Sequence, residues 1–211
     1  MRERGNKAFT LAEVLITLVI IGVIGALTVP SLIQSTRKQE YVTGLKKAYS
    51  VLSNAVQQII SEEGSPKCSD GGWACGFSSG KPYFAEYFKN HINIIKDCGT
   101  GAGCNSHGID DRDDMYKVIF ADGMYAWFSP GAENCSTSAY GLRNLCASIQ
   151  VDVNGAKGPN EWGRDLFSFG LKENGLYPAG CDDTMNYKCG DAGASNASCA
   201  CQVIRENAMN Y

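Results

Sequence analysis

The sequence predicts an α+β protein: one long N-terminal helix, then an antiparallel sheet whose connecting loops are rich in disulfides. Three observations predict it. Residues 9–29, FTLAEVLITLVIIGVIGALTV, carry a single charge and lead into apolar residues recurring at helical spacing. Further on, two alternating apolar runs flank Asp122 and Gly123 in YKVIFADGMYAWFSP, a strong hairpin signal. All ten cysteines lie from Cys68 to Cys201, and the first 67 residues have none. An even number of thiols in a Gly-rich, loop-rich stretch points to disulfides and to export from the reducing cytosol.

Composition excludes little beyond disorder: the 211 residues are 44% hydrophobic and 19% charged. The balance of 19 basic against 22 acidic side chains gives no basic surface for a phosphate backbone, so nucleic acid is not an expected partner.

The N-terminal stretch reads as a membrane span. As a helix, its 21 residues measure about 30 Å, the thickness of a hydrocarbon core. Residues 1–8, MRERGNKA, hold Arg2, Arg4 and Lys7 against Glu3, a basic flank that stays cytoplasmic and leaves the C-terminal part outside. A cleaved secretory signal fits less well, because the apolar run is too long and no A-x-A site follows it. Glu13 is the anomaly, since a carboxylate inside an apolar segment costs about 3 kcal/mol unless it finds a partner.

Lys7 and Ala8, then FTLAE, then an apolar helix reaching Pro30 resemble the cleavage and methylation segment of type IV pilins and type II secretion pseudopilins. The resemblance covers residues 1 to 60 or so and implies several roles. Residues 1–8 are a leader removed by prepilin peptidase between Ala8 and Phe9, and Phe9 becomes an N-methylated first residue. Glu13 pairs with the terminal amine of a neighbouring subunit, and Pro30 loosens the helix by removing one donor. Partners are further copies of itself and other pilins or pseudopilins, the inner-membrane assembly platform and membrane lipid. The expected location is the cytoplasmic (inner) membrane, spanned once, with an extracytoplasmic head that enters a periplasmic or extracellular filament. The chain departs from the family pattern at Ala8, where Gly is usual before the cut, so slower processing is expected.

Residues 31–63 continue the helix. Tyr41, Leu45, Ala48, Leu52, Ala55 and Ile59 alternate at spacings of four and three, with Val42, Tyr49 and Val56 widening the stripe, and Gly64 and Pro66 end it. A helix from Phe9 to Glu63 is about 80 Å long, and only its second part has a stripe to pack on its own head. The domain plan is a leader (1–8), a transmembrane and assembly helix (9–30), an amphipathic helix (31–63) and a disulfide-rich head (64–211).

In the head, Phe84, Tyr87, Phe88 and Ile92 suggest a short helix, followed by a loop with Cys98, Cys104 and the acidic run 110–114. Four or so strands are expected: the two of the hairpin, Ala147 to Val153, and short runs from Leu166 to Phe169 and through Tyr177, completing the α+β arrangement of pilin-like proteins. Proximity suggests Cys68 with Cys75, Cys98 with Cys104 and Cys135 with Cys146. Cys199 and Cys201 are left for Cys181 and Cys189 without a fixed choice. No C-x-x-C pair supports zinc.

Two further patterns concern sites. DVNGAKGPNEWGRD gathers oxygen-bearing side chains; Asp152, Asn154 and Asp165 are candidate Ca²⁺ ligands, against a turn-rich loop held by its own Asx turns. GFSSG (76–80) matches G-x-S-x-G around Ser78, but lacks the flanking strand and helix, and His91 and His107 are the only histidines. No enzyme is expected. The sequence implies a filament subunit; its rival is a low-copy minor pilin or membrane-displayed binding module of adhesin type. DNA capture is disfavoured, because losing the leader's three basic and one acidic residues takes the net charge from −3 to −5.

Overall fold

The computed structural model describes residues 10–76, 80, 82–104, 115–182, 189–190 and 196–211. The leader, Ala8, Phe9, Ser78, His107 and the acidic run 110–114 lie outside them. The chain divides into two units, Met1–Lys38 and Gln39–Tyr211.

The first unit is helical. Helix α1 spans Leu11–Glu63, 53 residues, with Pro30 inside it. Proline still removes one main-chain donor there and adds a ring contact. An 18-residue window has a mean hydropathy of 2.5, with none of it buried. Leu11, Leu18, Ile21 and Leu27 are all more than 60% exposed, and so many consecutive apolar residues leave no polar face. Such a helix is long and apolar enough to cross a membrane.

The second unit is the head. Its main sheet has six antiparallel strands in the order β1-β2-β3-β6-β7-β8, formed by Ile94–Gly99, Tyr116–Phe120, Tyr125–Pro130, Ala147–Asp152, Leu166–Lys172 and Gly175–Pro178. A separate ribbon pairs β4 (Thr137–Ala139) with β5 (Leu142–Leu145). Asp122 and Gly123 do turn a hairpin: Val118 faces Ala126 across β2 and β3, and Gly123 takes φ +87°.

Tyr41, Val42, Leu45, Ala48, Leu52, Ala55, Val56 and Ile59 of α1 are buried, while Tyr49 is half-buried and stacks on Phe169 with centroids 5.8 Å apart. They share one core with Val118, Ala126, Phe128, Ile149, Val151 and Phe167, which the strand registers place on a single face of the sheet. The helix ends as expected: Gly64 takes φ +83° and its N–H returns to the Ile60 carbonyl at 3.0 Å.

The opposite sheet face is also buried. Lys117, Trp127, Gln150 and Ser168 are cross-strand neighbours in successive strands, and none is more than 3% exposed. Part of this face lies under the β4–β5 ribbon: a Cβ at Gly170 would come within 2.5 Å of Leu145 and 2.7 Å of Leu142. β7 is therefore buried on both faces, which is why LFSFGLK lacks a clean alternation.

Three elements differ from expectation. The sheet contains every strand expected from sequence and one more, β1, with the β4–β5 ribbon in addition. β1 stands where the sequence suggests a loop, because it is a half-exposed edge strand with charges at Lys96 and Asp97 and two register irregularities. The Phe84–Asn90 segment is a 3₁₀ helix that stops before Ile92. A short C-terminal helix, α2 (Ala200–Glu206), was not foreseen; it buries Ala200, Cys201 and Val203.

β1 is fastened by charge. Lys89 Nζ lies 2.6 Å from Glu86 and 2.5 Å from Asp97, and the Tyr116 hydroxyl approaches the same carboxylates at 2.7 and 2.8 Å. Burial alone would raise the Asp97 carboxyl, but bonds from Lys89, the Gly99 N–H and Tyr116 outweigh it and hold the group below the usual carboxylate range. A lowered folded pKa gives stability that is present above about pH 4 and lost as pH falls through the folded value. Asp97→Asn is expected to start less stable at neutral pH and to lose less on acidification than the unaltered chain, as read by melting temperature across an acid titration.

Candidate functional site

At the start of α1, the backbone N–H and the hydroxyl of Thr10 both donate to Glu13 Oε2, each at 2.9 Å, and the Glu13 N–H donates back to Thr10 Oγ1 at 3.3 Å. This reciprocal arrangement is a capping box, and its signature, a threonine followed three residues later by glutamate, is legible in T-L-A-E. Within a single chain the anomalous carboxylate thus has local donors. Thr10 is the site residue that the reading of Glu13 as a charge in an apolar run does not reach.

Thr17 and Thr28 likewise donate to the carbonyls of Val14 and Ile24, each at 2.9 Å. Their hydroxyls are satisfied inside the helix, so the segment presents an apolar surface despite its polar residues.

The cysteines pair as Cys68–Cys75, Cys98–Cys104, Cys135–Cys146, Cys181–Cys201 and Cys189–Cys199. The last two resolve the choice that sequence left open. Sequence separations run from 6 to 20, so each bridge fastens a local loop. Two of them hold the start of α2 against the segment that follows β8.

His91 packs on α1, with Nδ1 3.0 Å from Gln58 Oε1 and Nε2 3.3 Å from Glu62. This is a helix-docking contact.

The candidate Ca²⁺ residues sit between β6 and β7. Asp152 and Asp165 are both fully buried. Asp165 accepts from the N–H groups of Asn160 (2.8 Å) and Glu161 (2.7 Å), one on each oxygen, and Asp152 Oδ1 accepts from the Asn154 N–H at 3.1 Å. Asn154 spends its amide nitrogen on the Gly158 carbonyl at 3.2 Å. Ca²⁺ takes about six to eight oxygens aimed at one point. Here the carboxylates are aimed at main-chain donors, and no group of three or more His, Cys, Asp or Glu converges among the described residues. As placed, the three residues make a hydrogen-bonded knot in which Asn154 Oδ1 is buried without a hydrogen-bond partner.

The knot has neighbours on both sides. A Cβ at Gly155 would lie 2.3 Å from the Gly123 carbonyl of the hairpin turn, and one at Gly44 of α1 would lie 3.0 Å from Val153. The loop can approach both elements only because glycine stands at these two positions.

Residues 4–29 match the prokaryotic N-terminal methylation motif. The chain thus carries a type IV prepilin-like signal, and its long apolar helix, antiparallel sheet and disulfides make an α+β fold consistent with a pilin or pseudopilin. The motif belongs to structural, non-enzymatic proteins, and the helix behind it is consistent with membrane anchoring. No curated protein and no solved structure matches the chain.

Removing the Asp165 carboxylate strands two main-chain donors in the interior. Asp165→Ala is expected to cost about 2–4 kcal/mol, measured by urea unfolding with the disulfides intact.

Proposed function

We propose that this chain is a structural subunit of a type IV pilus-like or type II secretion pseudopilus filament. It enters the membrane with its leader in the cytoplasm, is cut before Phe9 by prepilin peptidase, and is extracted into a helical fibre with other pilins or pseudopilins. What supports this reading most is the coincidence of the methylation motif at 4–29 with a helix that is apolar on every side. A helix of that kind is stable in lipid or among copies of itself and nowhere else.

Leaving lipid gains little hydrophobic energy, because the tails are as apolar as the side chains. Close packing and the satisfaction of Glu13 then direct assembly. The capping box suggests the sequence of events: Glu13 is held by Thr10 while the subunit is alone, and turns to a neighbour's terminal amine as it docks. The head lies outside the cytoplasm, where its disulfides persist.

Mass analysis of the N-terminal peptide from the native envelope tests processing. An N-methylated Phe9 start is expected; a chain that keeps residues 1–8 sinks the filament pathway. Assembly is tested by Glu13→Ala. The variant is expected to reach the membrane in normal amount and to give about tenfold fewer filaments or less, equivalent to about 1.4 kcal/mol lost in docking. Filaments at the normal level would remove the role assigned to Glu13.

A further inference from the structure

We propose that Asn160 fills the place a cation would take between Asp152 and Asp165, so that the β6–β7 loop is closed by the chain's own amides and folds without calcium. Two fully buried carboxylates on one loop are costly unless each is hydrogen-bonded or a cation neutralises them. Asn160 answers both. Its main-chain N–H donates to Asp165 Oδ2 at 2.8 Å. With its side-chain amide turned so that the nitrogen faces them, it also donates to Asp152 Oδ2 at 3.1 Å and to the Lys157 carbonyl at 3.1 Å. The amide orientation follows from its neighbours, since an oxygen in that position would face only acceptors.

Three oxygens from three residues therefore converge on one asparagine, and they are of the kind a hard cation collects. The remaining carboxylate oxygens are also occupied, Asp165 Oδ1 by the Glu161 N–H and Asp152 Oδ1 by the Asn154 N–H. With the Asn160 amide so turned, each of the four accepts a donor from within the loop, and Asn154 Oδ1 is the buried oxygen left without one. Asn160 adopts φ +57°, a left-handed conformation that asparagine tolerates better than most residues. Its backbone and side-chain donors are thereby turned to opposite carboxylates.

The experiment is thermal unfolding of the full chain in detergent, in EGTA and in millimolar CaCl₂, for the unaltered protein, Asn160→Ala and Asn160→Asp. The unaltered protein is expected to melt at the same temperature in both solutions. Asn160→Ala is expected to melt about 4 °C lower or more in both, from the loss of two side-chain bonds. Asn160→Asp places a third carboxylate where the amide stood; it is expected to be the least stable in EGTA and to recover with CaCl₂. If Asn160→Ala does not accumulate, the calcium response of Asn160→Asp decides alone, and the unaltered melting temperature in both solutions would overturn the proposal. A saturable calcium-dependent rise in the unaltered protein, or terbium emission sensitised by the nearby Trp162, would also overturn it, because a cation would then already hold the carboxylates.

Discussion

The head depends on one packing interaction, that of the apolar stripe of α1 from Tyr41 to Ile59 with the face of the sheet bearing Phe128, Ile149, Val151, Phe167 and Phe169. Eight buried helix residues and the stacked Tyr49–Phe169 pair fix which side of the sheet receives the helix. They also fix its register, because a strand slipped by one residue would exchange Phe167 and Phe169 for Ser168. The aromatic group of Tyr83, Phe84, Phe88 and Phe128 extends the same core around the sheet.

Around that core, long connections are closed locally. The five disulfides span 20 residues or fewer, so they restrain loops and termini and leave the α1–sheet interface to hydrophobic burial. The β6–β7 loop is held differently, by two buried carboxylates and the amide groups they accept from. The disulfides suit a head outside the cytosol, where they survive.

The N-terminal part of α1 obeys another solvent. No polar face, threonine hydroxyls turned onto carbonyls, and a glutamate satisfied by its own cap together describe a segment designed to be uniform toward lipid or toward like helices. Glu13 and Pro30 are its two irregularities, one polar and one a missing donor. In the isolated chain neither disrupts the helix.

What sequence by itself determined follows from local physics: a 21-residue apolar run, a stripe at helical spacing, Gly64 as a terminator and Asp122–Gly123 as a turn each encode their element within a few residues. The three shortest cysteine loops were legible for the same reason. β1, the β4–β5 ribbon and α2 were not, because each is short and takes its stability from what it pairs with or is bridged to. The site divided the same way. Glu13 stood out as a charge in an apolar run, and the T-L-A-E cap was there to be read. The meaning of Asp152 and Asp165 was decided only by tertiary structure, since the same oxygen-rich loop suits a cation or an amide equally well. In the proposal made for this loop, the backbone of Asn160, turned left-handed between two buried carboxylates, favours the amide.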